Sequence, residues 1–305
     1  MRHIDVEMRS LALAVLMALL ANAKAGELKV FPLWDTVSPD GKYAVGWSTT
    51  RDKPEPDDMP YPDETDQGIE NWVIEVASRK RIMQLPGCAW WVLPSGWRRS
   101  HYDFGVEWSA DSRTAAAQLD ARFTTEKVFF IDVAANKVIE GFDQMCRAFK
   151  KVLVNTADRE YARAAGTGIV AFAVSRMVND FEFTTSGLVQ PSKEDSSGEH
   201  SLWFRVDSHA NRFTLIKSGG ADANQDAEAD LNVTYQKLMG LLTPEERQAL
   251  IEEQRAWLKR RDESRTEPEK DKMTQERTSE LDTRKSDRVQ ELRAKDLPLE
   301  KGSTP

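Results

Sequence analysis

The chain between Leu231 and Asp262 reads L-N-V-T-Y-Q-K-L-M-G-L-L-T-P-E-E-R-Q-A-L-I-E-E-Q-R-A-W-L-K-R-R-D. Apolar residues recur at helical spacing both before and after a short break. The break, Thr243-Pro244-Glu245-Glu246, has the residues of a helix start: a threonine N-cap, a proline at N1 and a glutamate at N3 that completes a capping box. The stretch therefore predicts a helical hairpin. Its predicted inner faces carry Leu231, Tyr235, Leu238 and Leu242, then Leu250, Gln254, Trp257, Leu258 and Arg261.

Polar residues within this hairpin carry a family resemblance. The pattern L-N-x-x-Y from Leu231, followed by Q-R-A-W from Gln254 and R-D at Arg261, resembles the signature of the LprI-type lysozyme-inhibitor domain, a helical module of exported bacterial proteins. The later T-x-x-R-x-x-E-L from Thr274 is similar to the element that closes that domain. The resemblance covers roughly residues 223–292, about a quarter of the chain.

The resemblance implies non-covalent inhibition of a lysozyme. Two roles stay open for its polar residues: a structural network across the hairpin, or direct contact with the lysozyme. The family-motif residues in question are Asn232, Tyr235, Gln254, Trp257, Arg261 and Asp262. The chain departs from the family at Arg265, where the family commonly has a cysteine, so the family's disulfide staple is missing.

A third helix is expected after the hairpin. Residues Glu267 to Lys272 predict a break, and Thr274 to about Ala294 has helix-forming composition. Its apolar stripe is thin, so we expect it to be helical only if Leu281 packs on the hairpin. A disordered tail is predicted for residues 296–305.

The N-terminus predicts export. Leu11 to Ala21 is an apolar run followed by Ala23-Lys24-Ala25, an A-x-A cleavage pattern, and a start at Met8 gives a more basic leader than a start at Met1. The run is shorter than the about 20 residues of a membrane-spanning helix. We therefore expect a periplasmic or secreted protein cut after Ala25, without stable membrane insertion.

The chain has two cysteines, Cys88 and Cys146. In an oxidising compartment an isolated pair usually forms a disulfide, which is the expectation here. The alternative is two buried free thiols.

An internal repeat organises the preceding two thirds of the chain. The segment Ile74–Ile82 aligns with Ile131–Ile139 without a gap, and a weaker third copy begins at Trp203. Each of the first two copies follows a similar turn, Ser38-Pro39-Asp40-Gly41-Lys42 or Ser109-Ala110-Asp111-Ser112-Arg113. The surrounding runs are rich in β-branched and aromatic residues, as in short strands.

These turns and the I-[DE]-V-A-x-x-K segments weakly resemble the blades of WD40-like and TolB-like β-propellers. Three units are visible, whereas closed propellers typically have about four to eight blades. Either a divergent fourth unit lies in Lys150–Gly187, or the domain is an open or sandwich-like relative. The resulting fold class is a β-rich, propeller-like or sandwich domain followed by an α-helical hairpin with a third helix. The expected segments are a signal peptide (1–25), the β-rich domain (26–217), a linker (218–224), the LprI-like domain (225–295) and the tail (296–305).

A group of aromatic and basic residues interrupts the β pattern. Aromatic rings interleaved with arginines can bind a sugar or a protein loop, although tryptophans at such positions also fill sheet interiors. The candidate surface comprises Trp97, Arg98, Arg99 and Tyr102.

Residue patterns of enzymes are missing from the sequence. It has no G-x-S-x-G, Walker or H-E-x-x-H motif, and its four histidines lack the spacing of a zinc site. We therefore expect no catalytic residues, no metal and no cofactor. A net charge of −8 disfavours nucleic acid and favours a basic partner such as a lysozyme-type protein. The alternative function is an envelope interaction or scaffold protein whose β domain binds a protein or glycan.

Overall fold

The computed structural model describes residues 29–49, 69–91, 103–121, 124–155, 169–190, 198–220, 226–264 and 266–296. The predicted signal peptide and the candidate surface around Trp97, Arg98, Arg99 and Tyr102 lie outside these residues, as does the tail after Asp296. The described residues contain twelve strands, four α-helices and one short 3-10 helix, Trp34–Thr36.

The strands form three antiparallel sheets of four, and each sheet pairs its strands in chain order. Sheet 1 contains β1 (Lys29–Pro32), β2 (Tyr43–Thr49), β3 (Glu70–Glu75) and β4 (Lys80–Leu85). Sheet 2 contains β5 (Asp103–Trp108), β6 (Thr114–Asp120), β7 (Thr125–Asp132) and β8 (Lys137–Glu140). Sheet 3 contains β9 (Ile169–Asn179), β10 (Glu182–Gln190), β11 (Gly198–Asp207) and β12 (Arg212–Gly220).

The three sheets form a stack with sheet 2 in the middle, and both faces of sheet 2 are apolar. On β6, Ala115 and Ala117 join the core shared with sheet 1, whereas Ala116 joins the core shared with sheet 3. Successive residues of a strand point to opposite faces, so one strand serves two cores. Each sheet has the four-stranded meander expected of a propeller blade, but the described residues form an open stack of three sheets and no closed propeller.

The repeated turns predicted from sequence have the same hydrogen bonds. In sheet 1, Ser38 Oγ donates to Asp40 Oδ1 over 2.7 Å and accepts from the Tyr43 amide. In sheet 2, Ser109 Oγ donates to Asp111 Oδ1 over 2.8 Å and accepts from the Thr114 amide. The left-handed position of each turn is Gly41 or Ser112. The sheet 2 turn also touches the sheet 1 turn, since Ser112 Oγ accepts from the Asp40 amide.

The hairpins that close the sheets confirm the third copy of the repeat. The residue immediately before the last strand of each sheet has a positive φ. These residues are Arg79, Asn136 and Asn211, with φ of 58°, 52° and 50°. In the second and third copies an aspartate at the start of the turn, Asp132 or Asp207, accepts from the amide three residues later. The same backbone conformation therefore recurs once in every sheet.

Helix α1 (Phe142–Asn155) overlaps the segment Lys150–Gly187, for which the sequence allows a divergent fourth β unit. That alternative is wrong, because Met145, Phe149 and Leu153 bury a helical face between sheets 2 and 3, and the strands that follow belong to sheet 3. The helix also protects the free edge of β12. The Gln144 side chain accepts from the Phe213 amide and donates to the Asn211 carbonyl, both over 3.0 Å.

The predicted disulfide between Cys88 and Cys146 is wrong. Both cysteines are free thiols. Cys88 belongs to the core between sheets 1 and 2, and Cys146 packs on the core between sheets 2 and 3. Since sheet 2 separates these two cores, the thiols lie on opposite sides of it.

The C-terminal part is a three-helix module, the helical module, formed by α2 (Ala227–Leu241), α3 (Pro244–Asp262) and α4 (Glu267–Asp296). The predicted capping box is present: Thr243 Oγ1 accepts from the Glu246 amide, and Glu246 Oε2 accepts from the Thr243 amide. The predicted break at Glu267–Lys272 is wrong. Pro268 lies in the first turn of α4, where a proline displaces no helical hydrogen bond.

The predicted linker at residues 218–224 begins too early. Ser218, Gly219 and Gly220 are the last residues of β12 and pair with β11. Small residues are therefore part of the sheet here, and α2 follows within a few residues, with Asp226 as its N-cap.

Candidate functional site

The hairpin residues predicted from their spacing form the core of the helical module. Leu231, Leu238, Leu250, Trp257 and Leu281 are buried together, and Tyr235, Leu242 and Leu258 pack around them. Trp257 is 7 % exposed. The expectation that Leu281 packs on the hairpin is confirmed, and this contact explains why α4 is helical despite its thin apolar stripe.

Arg261 connects α3 to α2 at the end of the module where α2 begins. Its guanidinium lies over the Trp257 ring, with Cζ 5.1 Å from the ring centroid, and forms an ion pair with Glu228. It also reaches its neighbour Asp262 over 3.2 Å. Because Arg261 covers the indole, a family-motif charge closes the apolar core from solvent.

Gln254 connects α3 to α4 through a buried arginine. Its Oε1 accepts from Arg277 Nε over 3.1 Å, and Arg277 is only 4 % exposed. The same guanidinium reaches Glu253 over 2.6 Å and Glu280 over 2.8 Å. Gln254 and Arg261 therefore take part in two separate contacts with neighbouring helices, and not in one network with Asn232.

Glu253 is held by two arginines. Arg277 and Arg284 both donate to its carboxylate. Partial burial opposes ionisation of Glu253, but the hydrogen bonds from the two arginines outweigh it and lower the pKa of the carboxyl. Sequence reasoning included Arg277 in the closing element of the family and missed its role as the centre of this network. Glu280 lies one helical turn from Arg277, a spacing that is common in any charged helix, whereas Glu253 and Gln254 are 24 and 23 positions away on another helix.

The remaining motif residues differ in their environment. Asn232 and Asp262 are exposed, and Tyr235 is half-buried. Burial raises the pKa of the Tyr235 hydroxyl despite the positive charges of Arg255 and Arg277. Of the six motif residues, Gln254, Trp257 and Arg261 thus hold the helices of the module together. Asn232 and Asp262 are accessible to a partner.

The other end of the helical module packs on sheet 1. Leu241 and Val289 are buried there with Ala44 and Ile74. At Gly240 the approach is so close that an added Cβ would lie 2.3 Å from the Ser38 carbonyl oxygen. The helical module and the β domain are therefore in close contact at this end.

Polar contacts extend this interface along α4 and α3. Asp296 accepts from Trp34 Nε1 and pairs with Arg79, both over 2.6 Å. Arg247 Nη1 donates to the Asp40 carbonyl over 3.2 Å, so α3 also contacts the first repeated turn.

Helix α2 contacts more than one sheet. Gly240 touches the turn of sheet 1, and three residues earlier Lys237 Nζ pairs with Glu107 of sheet 2 over 2.5 Å. Burial raises the pKa of Glu107, although Lys237 and Lys285 act to lower it. The β domain and the helical module are thus joined by a partly buried ion pair as well as by apolar packing.

The described residues contain neither a cluster of side chains suited to holding a metal ion nor a helix long and apolar enough to cross a membrane.

One comparison with known proteins identifies a similarity, and it concerns the helical module. Residues 216–292 match the model of the family described as Lysozyme inhibitor LprI, about a quarter of the chain. The description names an inhibitor and not an enzyme, in agreement with the sequence-based expectation. No curated protein matches the chain. The matched segment runs from the last residues of β12 to α4, so the similarity covers the helical module and includes only the end of the three-sheet stack.

Proposed function

We propose that the chain is an exported protein of the bacterial envelope that inhibits a lysozyme by binding it non-covalently through the helical module. The observation that carries this proposal is the family match at residues 216–292, which coincides with a three-helix module whose motif residues are packed together.

Charge supports a lysozyme as the partner. The chain has a net charge of −8, whereas animal-type lysozymes are basic. Opposite net charges accelerate association and select among partners more than they add affinity. Binding of this kind needs no catalytic group, metal or cofactor.

The motif residues have two roles in this proposal. Gln254, Trp257 and Arg261 keep the three helices in register, because each contacts or covers a neighbouring helix or its core. Asn232 and Asp262 are exposed and form part of the surface that meets the lysozyme. Loss of the first group should unfold the module, whereas loss of the second should weaken binding alone.

The test measures lysozyme turnover of cell-wall substrate in the presence of the purified chain from Gly26 onwards, at physiological salt. Saturable inhibition is expected. The variant Leu281→Asp, which places a charge in the core of the module, should remove inhibition, while the β domain reports its own folding by circular dichroism. Equal potency of the wild type and Leu281→Asp would contradict a role for the helical module.

A scaffold function is the second candidate. It is favoured by the internal use of Gln254, Trp257 and Arg261, since a motif that stabilises a module does not by itself specify a lysozyme as the partner. In that case the chain binds an envelope protein or glycan through the β domain. Absence of inhibition against lysozymes of several classes, with the chain fully folded, would favour this candidate.

A further inference from the structure

Helix α2 carries a line of polar residues on the side that faces α3. Glu228 marks this side, because it forms an ion pair with Arg261 of α3. Asn232 follows one helical turn after Glu228, and Tyr235 follows one turn after Asn232, so both lie on the same side. Arg255 of α3 faces this line, since its charge acts on the Tyr235 hydroxyl. Asn232, Tyr235 and Arg255 together form the α2–α3 seam.

The contact with the β domain leaves the α2–α3 seam accessible. On α2 that contact is made by Lys237, which pairs with Glu107, and by Leu241, which is buried against sheet 1. Lys237 comes five residues after Asn232, which is roughly 140° around the helix axis. Asn232 and the arginine of the seam are exposed, and Tyr235 is half-buried. The seam is therefore on a side of the helical module that a partner can reach.

The fold does not use the hydrogen-bonding groups of the seam. The side chains of Asn232, Tyr235 and Arg255 make no hydrogen bond or ion pair with any residue that the structure describes. The arginines nearer the core differ, since Arg261 and Arg277 both bind carboxylates. The positive charge of Arg255 thus has no carboxylate of this chain to compensate it within the described ranges.

A buried donor without an acceptor accompanies these groups. Arg277 of α4 is only 4 % exposed, and its Nε and Nη1 atoms donate to Gln254 and Glu253. Its Nη2 atom is buried and finds no acceptor in the part of the chain that the structure describes. Arg277 lies close enough to Tyr235 for its charge to lower the pKa of the hydroxyl against the effect of burial. A buried donor of this kind is unfavourable, so an acceptor brought to it is bound more strongly than at an exposed surface.

The chemistry of the seam selects an anionic acceptor. A tyrosine hydroxyl and an asparagine amide can both donate, and a guanidinium offers five N–H groups and no acceptor. A carboxylate has two oxygens that accept several hydrogen bonds at once, and it supplies the charge that Arg255 lacks. A metal ion or an amine is disfavoured, because Arg255 and Arg277 both act on this place with positive charge.

We propose that the α2–α3 seam binds a carboxylate of the lysozyme, an aspartate or glutamate side chain, with Arg255 and the Tyr235 hydroxyl as its donors and the free Nη2 of Arg277 beneath them. This inference rests on the proposed function for the identity of the partner. The net charge of −8 attracts a basic protein over a distance, whereas the seam recognises an acidic group of that protein at contact. Asn232 and Tyr235 thereby have a role in recognition.

The test compares two variants of the full chain that change the charge equally. Arg255→Gln removes the cation of the seam. Arg260→Gln removes another exposed arginine of α3 that makes no ion pair with a described residue and lies roughly 140° away around the helix. Tyr235→Phe removes the hydroxyl and keeps the ring. Binding to a basic chicken-type lysozyme and inhibition of its turnover are measured at physiological salt, and binding is repeated with lysozyme whose carboxylates have been converted to amides.

The variant Arg255→Gln is expected to bind about tenfold more weakly than the wild type, Tyr235→Phe about threefold, and Arg260→Gln less than about twofold. Thermal unfolding should be the same for all of them. The wild type and Arg255→Gln should bind the amidated lysozyme equally. Equal losses in the two arginine variants would overturn the seam, and so would a loss in Arg255→Gln that persists with the amidated lysozyme.

Failure of the seam and failure of the proposed function give different results. Inhibition that is unchanged in Arg255→Gln would overturn the seam and leave the proposed function intact. A wild type that neither binds nor inhibits lysozyme would contradict the proposed function, and acetate then tests the seam alone. Acetate should shift the side-chain N–H resonances of Arg255 and Arg277 and leave those of Arg260 unchanged, and the absence of such a shift would overturn the seam as well.

Discussion

The guanidinium of Arg261 covers the indole of Trp257 and at the same time pairs with Glu228 of α2. One arginine thus connects two helices and closes their shared core. These two motif residues therefore serve the packing of the helices.

Replacing Trp257 by alanine should destabilise the chain by about 3–5 kcal/mol, because a buried indole is removed and the core cannot refill the space. The measurement is urea unfolding of the helical module followed by circular dichroism. Lys259→Ala, an exposed change on the same helix, is the control and should change the unfolding free energy by less than about 0.5 kcal/mol. A loss below about 1 kcal/mol for the tryptophan variant would indicate a side chain that the core does not need.

Glu253 should stabilise the helical module in a pH-dependent way. Its pKa is lowered from the usual 4.5 in the folded chain, so its contribution is fully present above that value and is lost as the pH falls through the lowered pKa. The difference in unfolding free energy between wild type and Glu253→Gln should therefore be larger at neutral pH than in acid. Glu252→Gln serves as the control, since the Glu252 carboxylate accepts from Gln248 and has no arginine partner in the part of the chain that the structure describes. A pH-independent difference would contradict the role assigned to Arg277 and Arg284.

Lys237→Met should cost about 3 kcal/mol in mildly alkaline solution, because it leaves the buried Glu107 carboxylate without its partner. The pKa of Glu107 is already raised by burial, and loss of Lys237 removes a charge that lowers it. The folded variant therefore takes up a proton more readily as the pH falls, and the cost should shrink in mildly acidic solution. Thermal unfolding at the two pH values measures the effect, and a cost that grows on acidification would contradict the assigned burial.

Gly240→Ala should destabilise the chain by about 1–3 kcal/mol, although alanine favours helix. The added Cβ would lie 2.3 Å from the Ser38 carbonyl oxygen, and backbone on both sides leaves little room to move. Gly105→Ala is the matched control, since its Cβ would meet only the Gln118 side chain, at 3.5 Å. Hydrogen exchange at the end of α2 should increase in the Gly240 variant alone. Equal stability of the two variants would mean that the helix and the turn are not in contact.

Both cysteines should be titratable thiols that react slowly in the folded chain. Burial raises the pKa of Cys88 to about 12 and that of Cys146 to about 11, so little thiolate is present near neutral pH. Alkylation with iodoacetamide is expected to be slow when the chain is folded, slower at Cys88 than at Cys146, and fast for both in urea. A denatured, unreduced chain that yields no free thiol would contradict this prediction.

Sequence reasoning succeeded where local chemistry decides the structure. The helical hairpin follows from apolar spacing and from the Thr243 capping box, and both repeated turns follow from a serine and an aspartate at fixed positions. These signals need no knowledge of distant parts of the chain. The same holds for the family resemblance, whose residues are close in sequence and whose extent agrees with the matched segment.

Strand β6 and helix α1 were harder to predict because tertiary packing determines their role. The sequence T-A-A-A-Q-L-D of β6 shows no alternation of apolar and polar residues, since both faces of sheet 2 are buried. In α1 the spacing of Met145, Phe149 and Val152 does indicate a helix, but the β repeat on either side favoured another strand unit. The positions of the two cysteines on opposite faces of sheet 2 depend on this arrangement and could not be inferred from their number.

The surface groove that Asp230 of α2 and Asp282 of α4 line could not be predicted from sequence for a related reason. Asp230 and Asp282 are fifty-two positions apart, and each belongs to a charged helix with many exposed acids. Only the parallel packing of the two helices places them on one concave surface. The long α4 also appeared to lack an apolar stripe because Val289 packs on sheet 1 and not on the hairpin.

The Gln144 amide at the edge of β12 has a consequence for how the molecule meets other chains. An outermost strand with free backbone groups is a template on which further strands can add, from a partner or from copies of the same protein. Here the Phe213 amide and the Asn211 carbonyl already have a partner in Gln144. Any incoming strand must first displace that side chain, so the addition of a strand to sheet 3 is opposed at this point.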